Sequence, residues 1–270
     1  MKGVVGQPDG GPAVNAVVLA ADATDLLRSR RYGILAIVGL PIALAIVCAL
    51  LFLWVSVKGL DSIEARILTV DALTLAFSRH LALAFTSTVL VILIAVPLGV
   101  LLTRPGARAF TPPVIALANM GQAVPSIGVL VLLALIWSTG FWPAIVALVA
   151  YAILPVLRNT MVGLQQVDAS VIEAGRGMGM TKGAVLREIE LPLAVPVILA
   201  GVRTALVINV GTAALATFVN AGGLGDIING GIVTNRQTVT LVGSVLTASL
   251  ALFIDHLGGL AETRLSPKGL

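Results

Sequence analysis

The chain has 270 residues, of which 58% are apolar and only 11% charged, and its mean hydropathy is +1.04. A typical soluble domain is about 45–50% apolar and about 25% charged, so the composition excludes a cytosolic enzyme, a disordered chain and a disulfide scaffold. It leaves a polytopic membrane protein. The net charge of +4 and the pI near 9.7 do not mark a nucleic-acid binder, because the basic residues cluster between apolar runs, as membrane orientation requires.

Residues 1–31, with stretches such as Pro8-Asp-Gly-Gly-Pro12, read as a loose N-terminal tail. A span needs about 20 apolar residues, and the first fits 33–57. It follows Arg28-Ser-Arg-Arg31 and lacks a small-x-small cleavage site, so a retained anchor is favoured over a cleaved signal peptide. The single cysteine, Cys48, lies inside it and cannot form an internal disulfide. Residues 59–80 form a short charged external segment with room for an interfacial helix. The second span fits 81–103. The uncharged stretch Ala109–Leu157 holds two more, 113–138 and 141–157, parted by the turn Trp137-Ser-Thr-Gly-Phe-Trp142-Pro143. A long loop, 158–192, precedes the fifth span, 193–218, and the sixth fits 237–254. The membrane domain is therefore 32–254, and 255–270 is a C-terminal tail.

With the N-terminus inside, the cytoplasmic segments hold Lys2, Arg28, Arg30, Arg31, Arg104, Arg108, Arg158, Arg176, Lys182, Arg187, Arg264 and Lys268. The opposite side holds Lys58, Arg66, Arg79 and Arg236. This bias predicts both termini in the cytoplasm.

The loop 158–192 is too long for a simple turn. Ser170-Val-Ile-Glu173 fits a capping box at a helix start. Gly175, Gly177 and Gly179 interrupt that helix, and a second helical stretch follows from Thr181, with Val185, Leu186 and Ile189 on one face. Pro192 closes the loop as the chain re-enters the membrane. Such an element is either a helix lying on the membrane or a docking helix for a cytoplasmic partner.

The residues of this loop favour the second reading. They run Glu173-Ala174-Gly175, three residues, Gly179, nine residues, Ile189, one residue, Leu191-Pro192. This resembles the EAA motif of the membrane permease subunits of binding-protein-dependent ABC importers, with Gly175 where that motif has alanine. Further segments are similar to permeases for glycine betaine, carnitine, choline and related osmoprotectants. They are Asn119-Met-Gly-Gln122-Ala-Val-Pro125-Ser126, Leu154-Pro155-Val-Leu-Arg158-Asn159-Thr160, Gly201-Val-Arg203-Thr204-Ala205 and Ala221-Gly222-Gly223-Leu224-Gly225-Asp226. Methionine-importer permeases share the Gly-Gly-Leu-Gly-Asp stretch, and Asn220 stands where the family usually has glycine.

The resemblance implies an all-α polytopic membrane protein of about six spans, with the type I ABC importer permease fold of the methionine importer. It implies alternating access in the bacterial cytoplasmic membrane. A second permease copy, identical or related, would complete the path, an ATP-binding ABC subunit would dock on the loop around Glu173–Gly179, and an extracytoplasmic solute-binding protein would deliver the solute. The chain would bind no cofactor and no nucleic acid; ATP and magnesium belong to the partner. The residues agree with this assignment. There is no Gly-x4-Gly-Lys-Ser/Thr phosphate loop. The two histidines, His80 and His256, lie far apart, and no Ser-His-Asp set is suggested, so the chain is not itself an enzyme. The rival readings are a permease for methionine or another amino acid, and an autonomous channel or secondary transporter.

Polar groups inside spans face a partner or water. Asn119, Gln122 and Ser126 share one face of the third span if its helix is continuous, and Pro125 frees backbone carbonyls beside them. In the fifth span Asn209 and Thr212 form a similar pair. Both sets serve either as a path or gate, or as interhelical hydrogen bonds. Arg203 lies too deep to snorkel simply, so it faces the bundle, water or carbonyls, with a structural or gating role preferred to binding a substrate carboxylate. Gly222, Gly223, Gly225 and Asp226 form an external loop that packs on the bundle, gates it or meets the binding protein. With 4% aromatic residues and Trp54, Trp137 and Trp142 near span ends, an aromatic cage for a quaternary ammonium belongs in the binding protein.

Overall fold

The computed structural model describes residues 37–265, and the expected N-terminal tail 1–31, the start of the first span and residues 266–270 lie outside them. The chain divides into two compact units, 1–46 and 47–270; of the first, the described part is the beginning of helix α1. All regular structure among the described residues is helical. Helix α1 is Ile37–Val57. It is apolar all round and keeps Leu50, Phe52 and Val57 exposed, which suits a hydrocarbon surrounding.

The second unit continues with α2 (Ser62–Ile67), α3 (Val70–Thr103), a 3₁₀ elbow (Pro105–Phe110), α4 (Thr111–Ala123), α5 (Ser126–Ile136) and α6 (Phe141–Gln165). Then come α7 (Ala169–Gly177), α8 (Lys182–Val185), a π-turn (Leu186–Glu190), α9 (Leu191–Ala213), a 3₁₀ turn (Ala214–Val219), α10 (Leu224–Val233) and α11 (Gln237–Leu265). Helix α6 packs on α3 and α9, α9 packs on α11, and α10 packs on α11. Small residues set the spacing. A Cβ on Gly201 of α9 would stand 2.9 Å from the Pro155 carbonyl oxygen of α6, so the backbones approach as close-packed membrane helices do.

Among the described residues five helical runs are long and apolar enough to cross a membrane, and a sixth arises if α4 and α5, with the elbow, count as one bent span. Several boundaries differ from the sequence reading. Helix α3 begins at Val70, so the expected external segment 59–80 is the short α2 followed by the start of α3. Asp61 caps α2 in a reciprocal capping box with Glu64, and the Glu64 N–H is the leading cause that holds its carboxyl below the usual carboxylate range. The expected fourth and sixth spans end at Leu157 and Ile254, at the next charged residue. Helix α6 instead runs to Gln165 and α11 to Leu265, because a helix keeps its hydrogen bonds after leaving the hydrocarbon.

The largest difference is in the third span, expected as one helix over 113–138. Helices α4 and α5 meet at 96°. Pro125 has no N–H and pushes Val124 out of the helical region, and Val124 is extended at φ −77°, ψ 134°. Each half spans only about 20 Å or less at about 1.5 Å per residue.

Candidate functional site

The loop between α6 and α9 is almost wholly helical. The cap of α7 is Asp168, whose carboxylate accepts from the Ser170 N–H at 2.8 Å. That bond lowers the Asp168 pKa from its ordinary value. The expected capping box of Ser170 and Glu173 is therefore displaced by two residues, because an aspartate outcompetes a serine already inside the first turn.

Helix α7 presents two faces. Glu173 and Ala174 are exposed on the outer side, whereas Gly175 is buried. A Cβ on Gly175 would stand 2.6 Å from Ile189 Cδ1, so these two motif residues meet across the loop, and the methyl of the family's alanine would displace only the far end of a flexible side chain. Gly179 turns the chain at φ +88°, in the left-handed region that other residues enter at a cost. Val171 and Met178 are 42% and 77% exposed on this small element. Leu191 and Pro192 open α9, and Leu191 packs with Leu164, Ala194 and Ile198.

A second tie has no counterpart in the sequence reading. Arg104, at the C-terminus of α3, grips Glu190, with Nη1 donating to Oε1 at 3.1 Å and Nη2 to Oε2. Glu190 is buried. The partners are 86 residues apart, so no local spacing reveals them. Arg104→Ala leaves a buried carboxylate unpaired and is expected to destabilise the chain by about 2–4 kcal/mol, with the double change Arg104→Met, Glu190→Leu recovering much of that loss. Thermal unfolding in detergent checks this; equal melting of Arg104→Ala and wild type would show that the pair contributes nothing.

The polar residues of the spans are mostly engaged. Pro155 has no N–H, so the Tyr151 carbonyl four residues earlier loses its helical donor. Gln122 Nε2 supplies one at 3.1 Å. Asn119 Oδ1 accepts from Arg158 Nη2 at 2.9 Å, and Arg158 lies within α6 rather than in the loop. Ser126 does not share their face, because it starts α5 beyond the 96° bend. Asn209 is buried; its Nδ2 donates to Thr88 Oγ1 at 3.0 Å, and its Oδ1 has no partner among the described residues. Thr212 does not pair with it but donates to the Ile208 carbonyl at 2.7 Å.

Arg203 has acidic partners that the sequence reading places in a tail. Its Nε and Nη2 donate to the two oxygens of Asp255 at 2.7 and 2.8 Å, and Nη1 reaches Glu262 at 3.4 Å. Its stem lies against Gly258. The signal is present in sequence: Asp255 and Glu262 are seven residues apart, on one helical face.

At the other end of the bundle, Gly222 and Gly223 adopt φ +86° and +105° and lie against Arg79 and His80. Gly225 is buried against the 3₁₀ turn, and Asp226 is exposed in the first turn of α10. There it complements the helix dipole. His80, which in the sequence stands out only as far from His256, is buried and links three helices. Its Nδ1 accepts from the Leu224 N–H at 3.3 Å, which leaves Nε2–H to donate to the Val210 carbonyl at 2.9 Å. No group of three or more His, Cys, Asp or Glu capable of holding a metal occurs among the described residues.

Residues 95–267 match the family described as binding-protein-dependent transport system inner membrane component. The chain is 43% identical over 231 residues to the osmoprotectant import permease protein OsmY of Salmonella typhimurium, covering 86% of this chain and 95% of that protein. It is 43% identical over 192 residues to the carnitine transport permease protein OpuCD of Listeria monocytogenes, covering 71% and 85%. Among solved structures, an inward-facing form of the MetNI methionine ABC transporter superposes with a TM-score of 0.63 at 30% identity, over 72% of this chain and 96% of that one.

Proposed function

The chain belongs to the family of binding-protein-dependent transport system inner membrane components, and on that premise we propose that it takes up compatible solutes such as glycine betaine, carnitine or choline. The observation that carries the coupling part of this reading is the two-faced helix α7. Its inner face is closed by Gly175 on Ile189, and its outer face offers Glu173, Val171 and Met178 to a partner. That partner is an ATP-binding ABC subunit, which binds ATP and magnesium; this chain hydrolyses nothing. An extracytoplasmic binding protein delivers the solute to the end that carries Gly222–Asp226. A second permease copy completes the path, and both termini lie in the cytoplasm.

Within the path, the break at Pro125 exposes backbone between two short helices, and Ser126 beside it is the first candidate for a gate. Asn119 and Gln122 hold this break against α6, while Asn209, with its unpartnered oxygen, and Thr212 belong to the wall. Arg203 fastens α9 to α11. The solute assignment is supported by 43% identity to osmoprotectant and carnitine permeases. Methionine is the second reading, supported by the 30% identity to a methionine transporter.

The test is uptake of labelled glycine betaine, carnitine, choline and methionine into cells that lack other routes for them, with the tagged chain's partners recovered in mild detergent. ATP-dependent uptake of the quaternary ammonium solutes, with an ATPase subunit in the complex, is the expected result. Uptake of methionine alone would replace the solute, and ATP-independent flux by the chain alone would replace the mechanism by that of a channel or secondary carrier.

A further inference from the structure

Where the elbow after α3 faces the loop helices there is a cavity of about 560 Å³, lined among others by Arg104, Arg108, Arg176, Lys182 and Glu190. Its volume falls within the range of small-molecule sites, roughly 300–1,000 Å³. The charges around it do not balance. Glu190 is the one acid in the lining and is held by Arg104. The side chains of Arg108, Arg176 and Lys182 make no hydrogen bond or ion pair among the described residues. Three uncompensated cations therefore surround one cavity, contributed from both of its sides: Arg108 from the elbow, Arg176 and Lys182 from the loop.

We propose that this cavity binds the phosphate headgroup of an anionic phospholipid. The position selects a lipid over a dissolved anion. Arg104 is the first charged residue after the uncharged run 81–103, and such a residue marks the passage from hydrocarbon to headgroups, which puts the cavity at that level. Phe110, two residues beyond Arg108, is 63% exposed in the same elbow, giving an acyl chain an apolar surface beside the charge. Guanidinium forks and an ammonium match phosphate oxygens, and basic pockets on the cytoplasmic side of helical membrane proteins take such headgroups. A headgroup held by all three cations bridges the end of α3 to the helix that carries Glu173, so its occupancy ties membrane composition to the stiffness of that loop.

The test uses the full chain, purified in mild detergent and titrated with phosphatidylglycerol, cardiolipin, phosphatidylcholine or inorganic phosphate, with bound lipid counted by native mass spectrometry. The expected result is roughly a tenfold or greater preference for the anionic lipids over phosphatidylcholine, lost in the triple variant R108Q, R176Q, K182Q and kept in the control R66Q, R264Q. Three results would overturn the proposal. The triple variant could retain the preference, the control could lose it equally, or inorganic phosphate could compete at the same concentration as the lipid. R108Q alone, which leaves the loop untouched, is expected to lower the preference partially. An unchanged preference in this single variant also overturns the site if the triple variant fails to fold.

Discussion

Replacing Gly225 by alanine is expected to give the largest destabilisation of any glycine-to-alanine change in the helical bundle. An ideal Cβ at Gly225 would collide with the backbone of Ala214, meeting its carbonyl oxygen, its carbonyl carbon at 2.7 Å and its Cα at 3.0 Å. Backbone cannot rotate away as the end of a side chain can. Ala214 opens the 3₁₀ turn that ends α9, and Leu224–Val233 is held to α9 through the His80 bridge as well, so relieving the collision shifts two anchored segments at once. Overpacking of this kind costs about 3 kcal/mol, or a melting drop of roughly 6 °C or more in a chain of this size. Gly128→Ala is the comparator: nothing lies within 4 Å of its Cβ, and it sits inside α5, so alanine should stabilise it by up to about 1 kcal/mol. If the two variants melt together, the close approach at Gly225 does not constrain the fold.

The second large effect is on transport rather than stability. Glu173→Lys reverses a charge on the exposed face of α7 while touching none of the buried packing. On the proposed docking of an ATPase subunit at α7, with Glu173 a central contact worth about 2 kcal/mol or more, the variant is expected to bind that subunit roughly 30-fold more weakly and to lose uptake. Gly179→Asp adds the cost of a left-handed conformation at φ +88°, about 1–2 kcal/mol, to an unwanted charge. Both variants should insert in the membrane at wild-type abundance. Uptake at the wild-type rate by Glu173→Lys, with abundance confirmed by immunoblot, would remove α7 from the coupling mechanism.

The spans and the helical loop were legible because apolar runs and glycine spacing are local properties of the chain. Helix ends were not. Charged residues such as Arg158 and Asp255 mark where hydrocarbon stops, but α6 and α11 continue past them, since water does not unwind a packed helix. The bend at Pro125 was half legible: the proline announced free carbonyls, but hydropathy is the same for a straight span and for two short helices at 96°. The polar partners were least accessible. Gln122 meets Tyr151, Arg104 meets Glu190 and Arg203 meets Asp255 across 29, 86 and 52 residues, distances over which one sequence carries no periodic signal. Only the alignment of Asp255 and Glu262 on one face hinted at a cation opposite.

The π-turn at Leu186–Glu190 has a consequence for how the loop can vary. From Lys182 to Val219 the backbone is one uninterrupted helical run, so the end of the loop, after the Gly179 turn, and the span that follows it form a single shaft. A π-turn accommodates an extra residue within such a shaft. Its presence therefore lets α8 keep its angular phase about the axis of α9 with one residue more than regular winding needs. Deleting one residue there would restore regular winding with α8 near its present phase, whereas deleting one residue from the regular α-helix of α9 would swing α8 by about 100° about that axis. Length in the regular turns of α9 is thus under tighter constraint than length in the π-turn, and a one-residue deletion in α9 should impair uptake where one within Leu186–Glu190 is tolerated.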